Sequence, residues 1–300
     1  MRSIIFASLT VSLIACEKPQ KAGEGDGASK SSSGRTVIQN KGSDTLVNVA
    51  QAWAETYKTV DANVAIAVTG GGSGTGVSSM INGTVDIANS SRSMKAKELE
   101  AAKKNGVEPK EHIVGYDALA IFLHPANPMT EISIEQIKAI YGEGGAIDKW
   151  SDLGIEIPGC PSDEIVRVSR QNNSGTYAYF KKATLGKGEY KLGSRDMHGS
   201  KDVVDLVEKT PCAIGYSGLA YAKEHIKMPC VKKDADSACV APTVPTAADG
   251  SYPIARPLFM YTAGEPKGAT GEYMKWILSD AGQCIIVDKG YASVRDVNCG

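Results

Sequence analysis

The chain of 300 residues lacks the features that several protein classes require. Its net charge is −1 and its Lys and Arg residues form only short pairs, so it offers no basic surface for nucleic acid. No apolar run reaches the roughly 20 residues that cross a bilayer as a helix. There is no C-x-x-C pair, and the four histidines do not stand at metal-ligand spacing. At 42% hydrophobic residues, the composition is that of a globular protein with one large or two moderate domains.

Catalytic motifs are missing as well. The glycine-rich loop Gly70–Gly76 has no Lys where a P-loop places one, and it does not match the dinucleotide pattern G-x-G-x-x-G. Neither Ser73 nor Ser217 lies in a G-x-S-x-G sequence, and no histidine neighbours a plausible nucleophile. The sequence therefore predicts no catalytic residue, no cofactor and no metal site.

The N-terminus has the pattern of an export signal. A positive start at Met1–Arg2 precedes a mostly apolar run, Ile4–Ala15, which ends directly before Cys16. This arrangement resembles the lipobox of bacterial lipoproteins, which implies a signal peptide over residues 1–15 and a lipidated Cys16. Residues 17–34 are almost free of apolar side chains, and we expect a flexible tether over residues 16–35. The alternative is a plain secretory signal followed by an incidental cysteine.

Six further cysteines remain, an even number that favours disulfides in an exported protein. Their spacing suggests three pairs, although six cysteines allow 15 connectivities and a metal site is the rival interpretation. The predicted pairs are Cys160 with Cys212, Cys230 with Cys239, and Cys284 with Cys299.

Strand and helix patterns alternate from residue 35 onward. Short β-branched or apolar runs predict strands at 36–39, 63–68, 85–88, 118–123, 166–168, 213–216 and 252–262. Periodic segments predict helices at 45–57, 75–80, 95–105 and 271–287, one that follows an N-cap at Ser133, and one from Ser174. Residues 231–250 read as a loop. The alternation indicates an α/β protein with largely parallel sheets, in which ligands bind at the carboxyl ends of strands.

Three of the predicted strand–helix junctions consist mainly of Gly, Ser, Thr and Asn: Gly42–Thr45, Gly70–Gly76 and Arg170–Thr176. A fourth segment, Asn89–Arg92, adds hydroxyls and a guanidinium after another strand. Helix N-termini present unpaired N–H groups and a partial positive charge, and glycine lets the backbone approach a ligand closely. Arg matches two oxygens of an oxyanion. Each junction alone is usually a simple cap or loop, but together they predict an anion site.

These stretches resemble the phosphate-binding receptors of bacterial phosphate ABC transporters. The similarity covers nearly all of residues 36–295, and its most specific parts are the serine–glycine loop and the motif Arg170-x-x-x-Ser174-Gly175-Thr176. Further matching stretches are Asp86–Arg92, Tyr116–Pro128, the segment from Ile132 to Trp150, Ala213–Tyr221 and Tyr252–Thr262.

The resemblance implies an α/β, two-lobed periplasmic-binding-protein fold of type II. Each lobe would be a mainly parallel sheet flanked by helices, and two crossing strands near 116–120 and 252–256 would join the lobes. Lobe 1 would comprise residues 36–118 and 252–300, and lobe 2 residues 119–251. Each predicted disulfide would then lie within one lobe and leave the hinge free.

It also implies a non-enzymatic receptor that holds inorganic phosphate between the lobes. Its partners would be the permease subunits of an ABC transporter, and it would be a monomer in the periplasm, held to the membrane only by the lipid on Cys16. The residues expected to bind the oxyanion are Ser43, Asp44, Thr45, Gly72, Ser73, Gly74, Ser91, Arg92, Arg170, Ser174, Gly175 and Thr176.

One position departs from the family pattern. Some members place an aspartate after the third strand to accept the proton of bound phosphate, and here that position is Ser91. Asp44 is our candidate replacement, with a simple helix N-cap as the alternative. The functions that stay open are a receptor for another oxyanion such as sulfate, a phosphate sensor and a phosphomonoesterase.

Overall fold

A computed structural model describes residues 35–300, which form one compact unit. The predicted signal peptide, Cys16 and the tether up to Gly34 lie outside the described residues. Within the described range, no helix combines the length and apolar character needed to cross a bilayer.

The strands form one long sheet and one small one. In chain order, the strands of residues 35–300 are β1 (Thr36–Gly42), β2 (Val64–Thr69), β3 (Ile87–Ser90), β4 (Pro109–Leu123), β5 (Glu131–Ser133), β6 (Val166–Arg170), β7 (Arg195–Met197), β8 (Ala213–Gly218), β9 (Cys230–Lys232) and β10 (Ala255–Ala263). The long sheet has the order β2-β1-β3-β10-β4-β8-β6-β7, and β5 pairs with β9. Strands β1, β2 and β3 are mutually parallel, as are β8, β6 and β7, whereas the pairs that involve β10 and β4 in this sheet are antiparallel.

Helices pack against the strands on both sides of the central pair β4 and β10. In the same range they are α1 (Val47–Val60), α2 (Ser73–Ile81), α3 (Ala96–Lys104), α4 (Ile134–Tyr141), α5 (Gly175–Phe180), α6 (Ser200–Glu208), α7 (Val244–Ala248), α8 (Gly268–Ile277) and α9 (Asp280–Asp288). We call β1–β3 with α1–α3, α8 and α9 the first half, and β5–β9 with α4–α7 the second half. Each half buries its own apolar cluster, around Trp53 in the first and around Trp150 in the second.

Strands β4 and β10 connect the two halves. Residues up to Ala118 of β4 pair with β10, and Leu119–Leu123 pair with β8. The apolar run from Ala118 to Leu123 is fully buried, as its composition predicts. The positions predicted for the crossing strands therefore lie at the centre of the sheet, where Arg256 stands directly opposite Asp117.

Two secondary-structure predictions are wrong. The single helix over 271–287 is two helices, because Ser279 adopts extended backbone and its hydroxyl bonds to Trp276 O at 2.6 Å. Gly282 then packs so closely on the end of α8 that a Cβ there would lie 2.4 Å from Ile277 O. The predicted loop 231–250 contains most of β9 and all of α7, which begins at the cap Thr243.

The three cysteine pairs are confirmed. Cys160 bonds to Cys212 with a Cα–Cα distance of 5.0 Å. The pairs Cys230–Cys239 and Cys284–Cys299 each have a Cα–Cα distance of 5.4 Å. The first two lie in the second half and the third lies in the first half, so none crosses between β1–β3 and β6–β8.

Candidate functional site

The four polar segments singled out by the sequence meet at one place. They follow the carboxyl ends of β1, β2, β3 and β6. Since β1–β3 belong to the first half and β6 to the second, the site lies between the two halves, beside the central strands β4 and β10. This is the edge at which α/β sheets hold ligands.

Three serine hydroxyls of the first half form a buried cluster. Ser43 Oγ donates to Ser91 Oγ at 3.0 Å, and Ser73 Oγ lies 3.4 Å from the same oxygen. Ser91 N donates to Ser73 Oγ at 3.1 Å. Gly175, from the second half, packs directly on this cluster, since a Cβ on it would lie 2.2 Å from Ser73 Oγ. Only glycine fits that approach.

Two threonine hydroxyls meet across the halves beside the serine cluster. Thr45 Oγ1 and Thr176 Oγ1 are 3.0 Å apart, and both residues are buried. Ser174 caps α5, because its hydroxyl accepts from Thr176 N at 3.1 Å and from Tyr177 N at 3.4 Å. Its O–H remains a donor for a further acceptor.

Arg170 is the buried cation that the motif predicted, with a relative exposure of 1%. Its Nη1 donates to Ser200 Oγ at 2.9 Å, and its Nη2 donates to His198 O at 2.8 Å and Asp44 Oδ2 at 3.3 Å. Its Nε has no hydrogen-bond partner among the described residues. Burial lowers the pKa of Arg170 below its ordinary value, and Asp44 opposes this shift. A guanidinium has five N–H groups, so two remain for a further acceptor.

Asp44 faces this guanidinium from the first half. Its Oδ1 accepts from Gly71 N at 3.0 Å, and its Oδ2 accepts from Arg170. It lies in a short 3-10 turn, Asp44–Leu46, whose N-cap is Ser43. The alternative of a simple helix N-cap for Asp44 is therefore wrong. A carboxylate has about four lone-pair positions, so two accepted bonds leave capacity for another donor.

Three of the residues expected to bind the anion make their hydrogen bonds to other parts of the protein. The side chain of Arg92 binds Glu98 through two bonds of 2.8 and 2.7 Å, and it lines a groove with Lys95, Lys182 and Phe259. Burial acts to raise the pKa of Glu98, but these bonds and one from Lys95 N lower it below its ordinary value. Gly72 N and Gly74 N, which we expected at the anion, donate to Gly42 O and Asn173 O at 2.9 and 3.0 Å.

Sequence reasoning missed Arg256, Asp117 and Tyr221 as parts of the site. Arg256 is fully buried, pairs with Asp117 through two bonds of 3.0 and 2.7 Å, and donates to both threonine hydroxyls. Burial raises the pKa of Asp117, and Arg256 opposes that shift. Tyr221, from the second half, donates to Asp44 O at 2.6 Å. The sequence does single out Arg256, because it is the only charged residue between Tyr252 and Thr262.

The site as a whole is polar but balanced in charge. Arg170 pairs with Asp44, and Arg256 pairs with Asp117, so the formal charges cancel. The groups that remain to bind a ligand are hydroxyls and the N–H groups left on Arg170. Such a set can donate to the oxygens of a small anion, and nearly all of its members are buried.

Comparison with known proteins agrees with this chemistry. The family model described as the PBP superfamily domain matches residues 27–281 of this chain. The phosphate-binding protein PstS of Pseudomonas aeruginosa is 34% identical over 266 residues, which are 85% of this chain and 82% of that protein. PstS of Bacillus subtilis is 29% identical over 98% of this chain and 93% of its own.

A solved structure shares the fold. A Clostridium perfringens protein, assigned as a phosphate ABC transporter substrate-binding protein and solved with bound phosphate, has a TM-score of 0.76 to this chain and 29% identity. The likeness covers 87% of this chain and 100% of that protein.

Proposed function

This chain belongs to the PBP superfamily and, within it, to the phosphate-binding proteins, and we propose that it captures inorganic phosphate between its two halves for an ABC importer. In this function it is a solute-binding receptor and not an enzyme.

The observation that carries the proposal is the unfilled hydrogen-bonding capacity of Arg170. This side chain is buried, yet its Nε has no partner among the described residues and its Nη1 has one. The hydroxyls of Ser43, Ser73, Ser91 and Thr176 lie in the same polar cluster. A tetrahedral oxyanion supplies acceptors in several directions, so it would satisfy the free N–H groups of Arg170 and accept from those hydroxyls whose O–H is not already bonded within the protein.

Asp44 supports phosphate over sulfate as the ligand. At neutral pH phosphate carries at least one proton and sulfate carries none. Asp44 lies against Arg170 and retains acceptor capacity, so it can accept a hydrogen bond from the protonated oxygen of bound phosphate but would repel a fully ionised anion.

The arrangement also explains how a ligand would close the protein. Donors from the first half, such as Ser73, and donors from the second half, such as Arg170, would bind the same anion. Binding would then favour the form in which the halves are together, because only that form makes both sets of bonds. We propose residues 36–118 with 252–300, and residues 119–251, as the two lobes that move.

Isothermal titration of residues 35–300 with phosphate and then with sulfate tests this function. We expect micromolar or tighter binding of phosphate and no heat with sulfate. Arg170→Met should abolish binding. Arg167→Met is the matched control on the same strand, because Arg167 bonds to Asp148 outside the site and its loss should leave the Kd within about twofold. Absence of phosphate heat from the wild type would refute the proposal.

We further propose that the full chain is a monomeric lipoprotein of the periplasm, anchored through Cys16. The support is the lipobox-like sequence before Cys16 and the polar stretch after it. Expression of the full chain in a bacterium with labelled palmitate should give a labelled protein in the membrane fraction. Cys16→Ser should lose the label, and an unchanged label would contradict the assignment.

A further inference from the structure

Arg256 uses every donor that it has on the protein itself. Its Nε and Nη2 donate to Asp117 Oδ2 at 3.0 and 2.7 Å, and Nη2 also donates to Thr45 Oγ1 at 3.3 Å. Its Nη1 donates to Thr176 Oγ1 at 3.1 Å and to Ser91 O at 3.4 Å. These five bonds equal the five N–H groups of a guanidinium. Arg256 therefore has no donor left for a ligand, in contrast to Arg170.

The bonds to the threonines determine what those hydroxyls can do. Each hydroxyl has one O–H group and two acceptor positions, and a guanidinium has no acceptor. Thr45 Oγ1 and Thr176 Oγ1 both accept from Arg256, so neither can direct its O–H at that side chain. One O–H can go to the other threonine, 3.0 Å away. At least one must then point at another acceptor, which is what an oxyanion offers.

Asp117 makes this arrangement possible without adding charge to the site. The Arg256–Asp117 pair is fully buried, and the two residues face each other on β10 and β4. A lone buried guanidinium would be costly and would attract any anion, whereas the pair orients hydroxyls at a net charge of zero. The ring of Tyr179, 5.8 Å from the Arg256 guanidinium carbon, covers another side of it.

We propose that Arg256, held by Asp117, is a positioning residue that makes Thr45 and Thr176 donate to the oxyanion. The inference rests on the proposed function. Because Thr45 and Thr176 come from opposite halves while Arg256 lies on a central strand, the same residue aligns the donors of both halves. The substrate class that fits is an anion with several lone pairs and no donor at that position.

A double-mutant cycle in residues 35–300 tests this role, with phosphate Kd as the readout. Lys in place of Arg256 keeps the charge but has only three donors, so Arg256→Lys should raise the Kd at least about tenfold. In a Thr45→Val/Thr176→Val background the same substitution should raise it by less than about threefold, because the hydroxyls it positions are gone. Gln283→Leu, at a buried residue bonded to Val114 O and Ile277 O, is the stability control and should leave the Kd within about twofold.

The outcomes separate a positioning role from a structural one. An equal rise in Kd for Arg256→Lys in both backgrounds, or no rise in the wild-type background, would overturn the inference. In either case, phosphate binding by the wild type would still support the receptor function. If Arg256→Lys does not fold, Arg256→Gln with Asp117→Asn removes both charges together and enters the same cycle with the same expected result. A wild type that does not bind phosphate would remove the proposed function and this inference with it.

Discussion

Replacing Gly175 by Ala should disrupt closure of the site without weakening either half. A Cβ at this position would lie 2.2 Å from Ser73 Oγ, 2.5 Å from Ser91 Oγ and 2.9 Å from Ser73 Cβ. Ordinary contacts begin near 3.4 Å, so the start of α5 would have to retreat by more than an ångström. The two serines cannot yield, because both are buried and hydrogen-bonded to each other.

The cost can be worked from the bonds that the retreat would break. It would separate Thr176 from Thr45, now 3.0 Å apart, and withdraw Arg170 from Asp44. Overpacking costs about 1–3 kcal/mol, and each lost bond to a charged group costs about 1.5–3 kcal/mol. A combined loss of about 3 kcal/mol or more corresponds to a phosphate Kd at least about 100-fold higher.

Titration calorimetry measures that Kd, and thermal unfolding without phosphate measures the stability of the halves. We expect a large change in Kd and only a small change in the Tm of the ligand-free protein, because without phosphate the halves can separate and avoid the clash. Gly188→Ala is the control, because this glycine is exposed and a Cβ there, 3.2 Å from Leu185 O, needs a shift of only a few tenths of an ångström. An unchanged Kd for Gly175→Ala would refute the proposed contact between Gly175 and the serine cluster.

Three further changes have defined outcomes. Replacing Cys160 and Cys212 by Ser opens a loop of 52 residues and should cost about 4 kcal/mol, seen as a Tm lowered by roughly 10 °C with the phosphate Kd unchanged. Glu98 has a lowered pKa, so its bond to Arg92 stabilises the protein above pH 4.5 and this contribution is lost as the pH falls through the lowered pKa. Glu98→Gln should flatten that part of the pH dependence of unfolding, and an equally steep loss in the variant would contradict it. Asp44→Asn should weaken phosphate binding and admit sulfate, and titration with both anions checks this.

Much of the site was predictable because its residues are local in sequence. Glycine and hydroxyl residues that follow a strand are visible in the sequence, and the carboxyl ends of parallel strands come together in space. The structure accordingly brings Ser43, Ser73 and Ser91 from the first half against Gly175 and Thr176 from the second. The disulfide pairing was predictable for a similar reason, because each bond joins two cysteines that are consecutive along the chain.

The remainder depends on tertiary register and could not be predicted from local patterns. Arg256 and Asp117 are 139 residues apart, and only the antiparallel alignment of β10 with β4 places them opposite each other. Arg92 lies next to a site residue, yet its side chain turns to Glu98, six positions later at the start of α3. The break between α8 and α9 depends on one hydroxyl, that of Ser279, within a segment whose apolar periodicity continues across it.

We expect an oxyanion to bind among the donors of both halves, and a crystal structure grown with arsenate would locate it. Arsenate has the shape and protonation of phosphate, and its arsenic atom can be located by anomalous scattering. One strong anomalous peak should lie within bonding reach of Arg170 Nε and the hydroxyls of Ser73 and Thr176. A well-ordered arsenate elsewhere, with these groups bonded only to the protein, would contradict it.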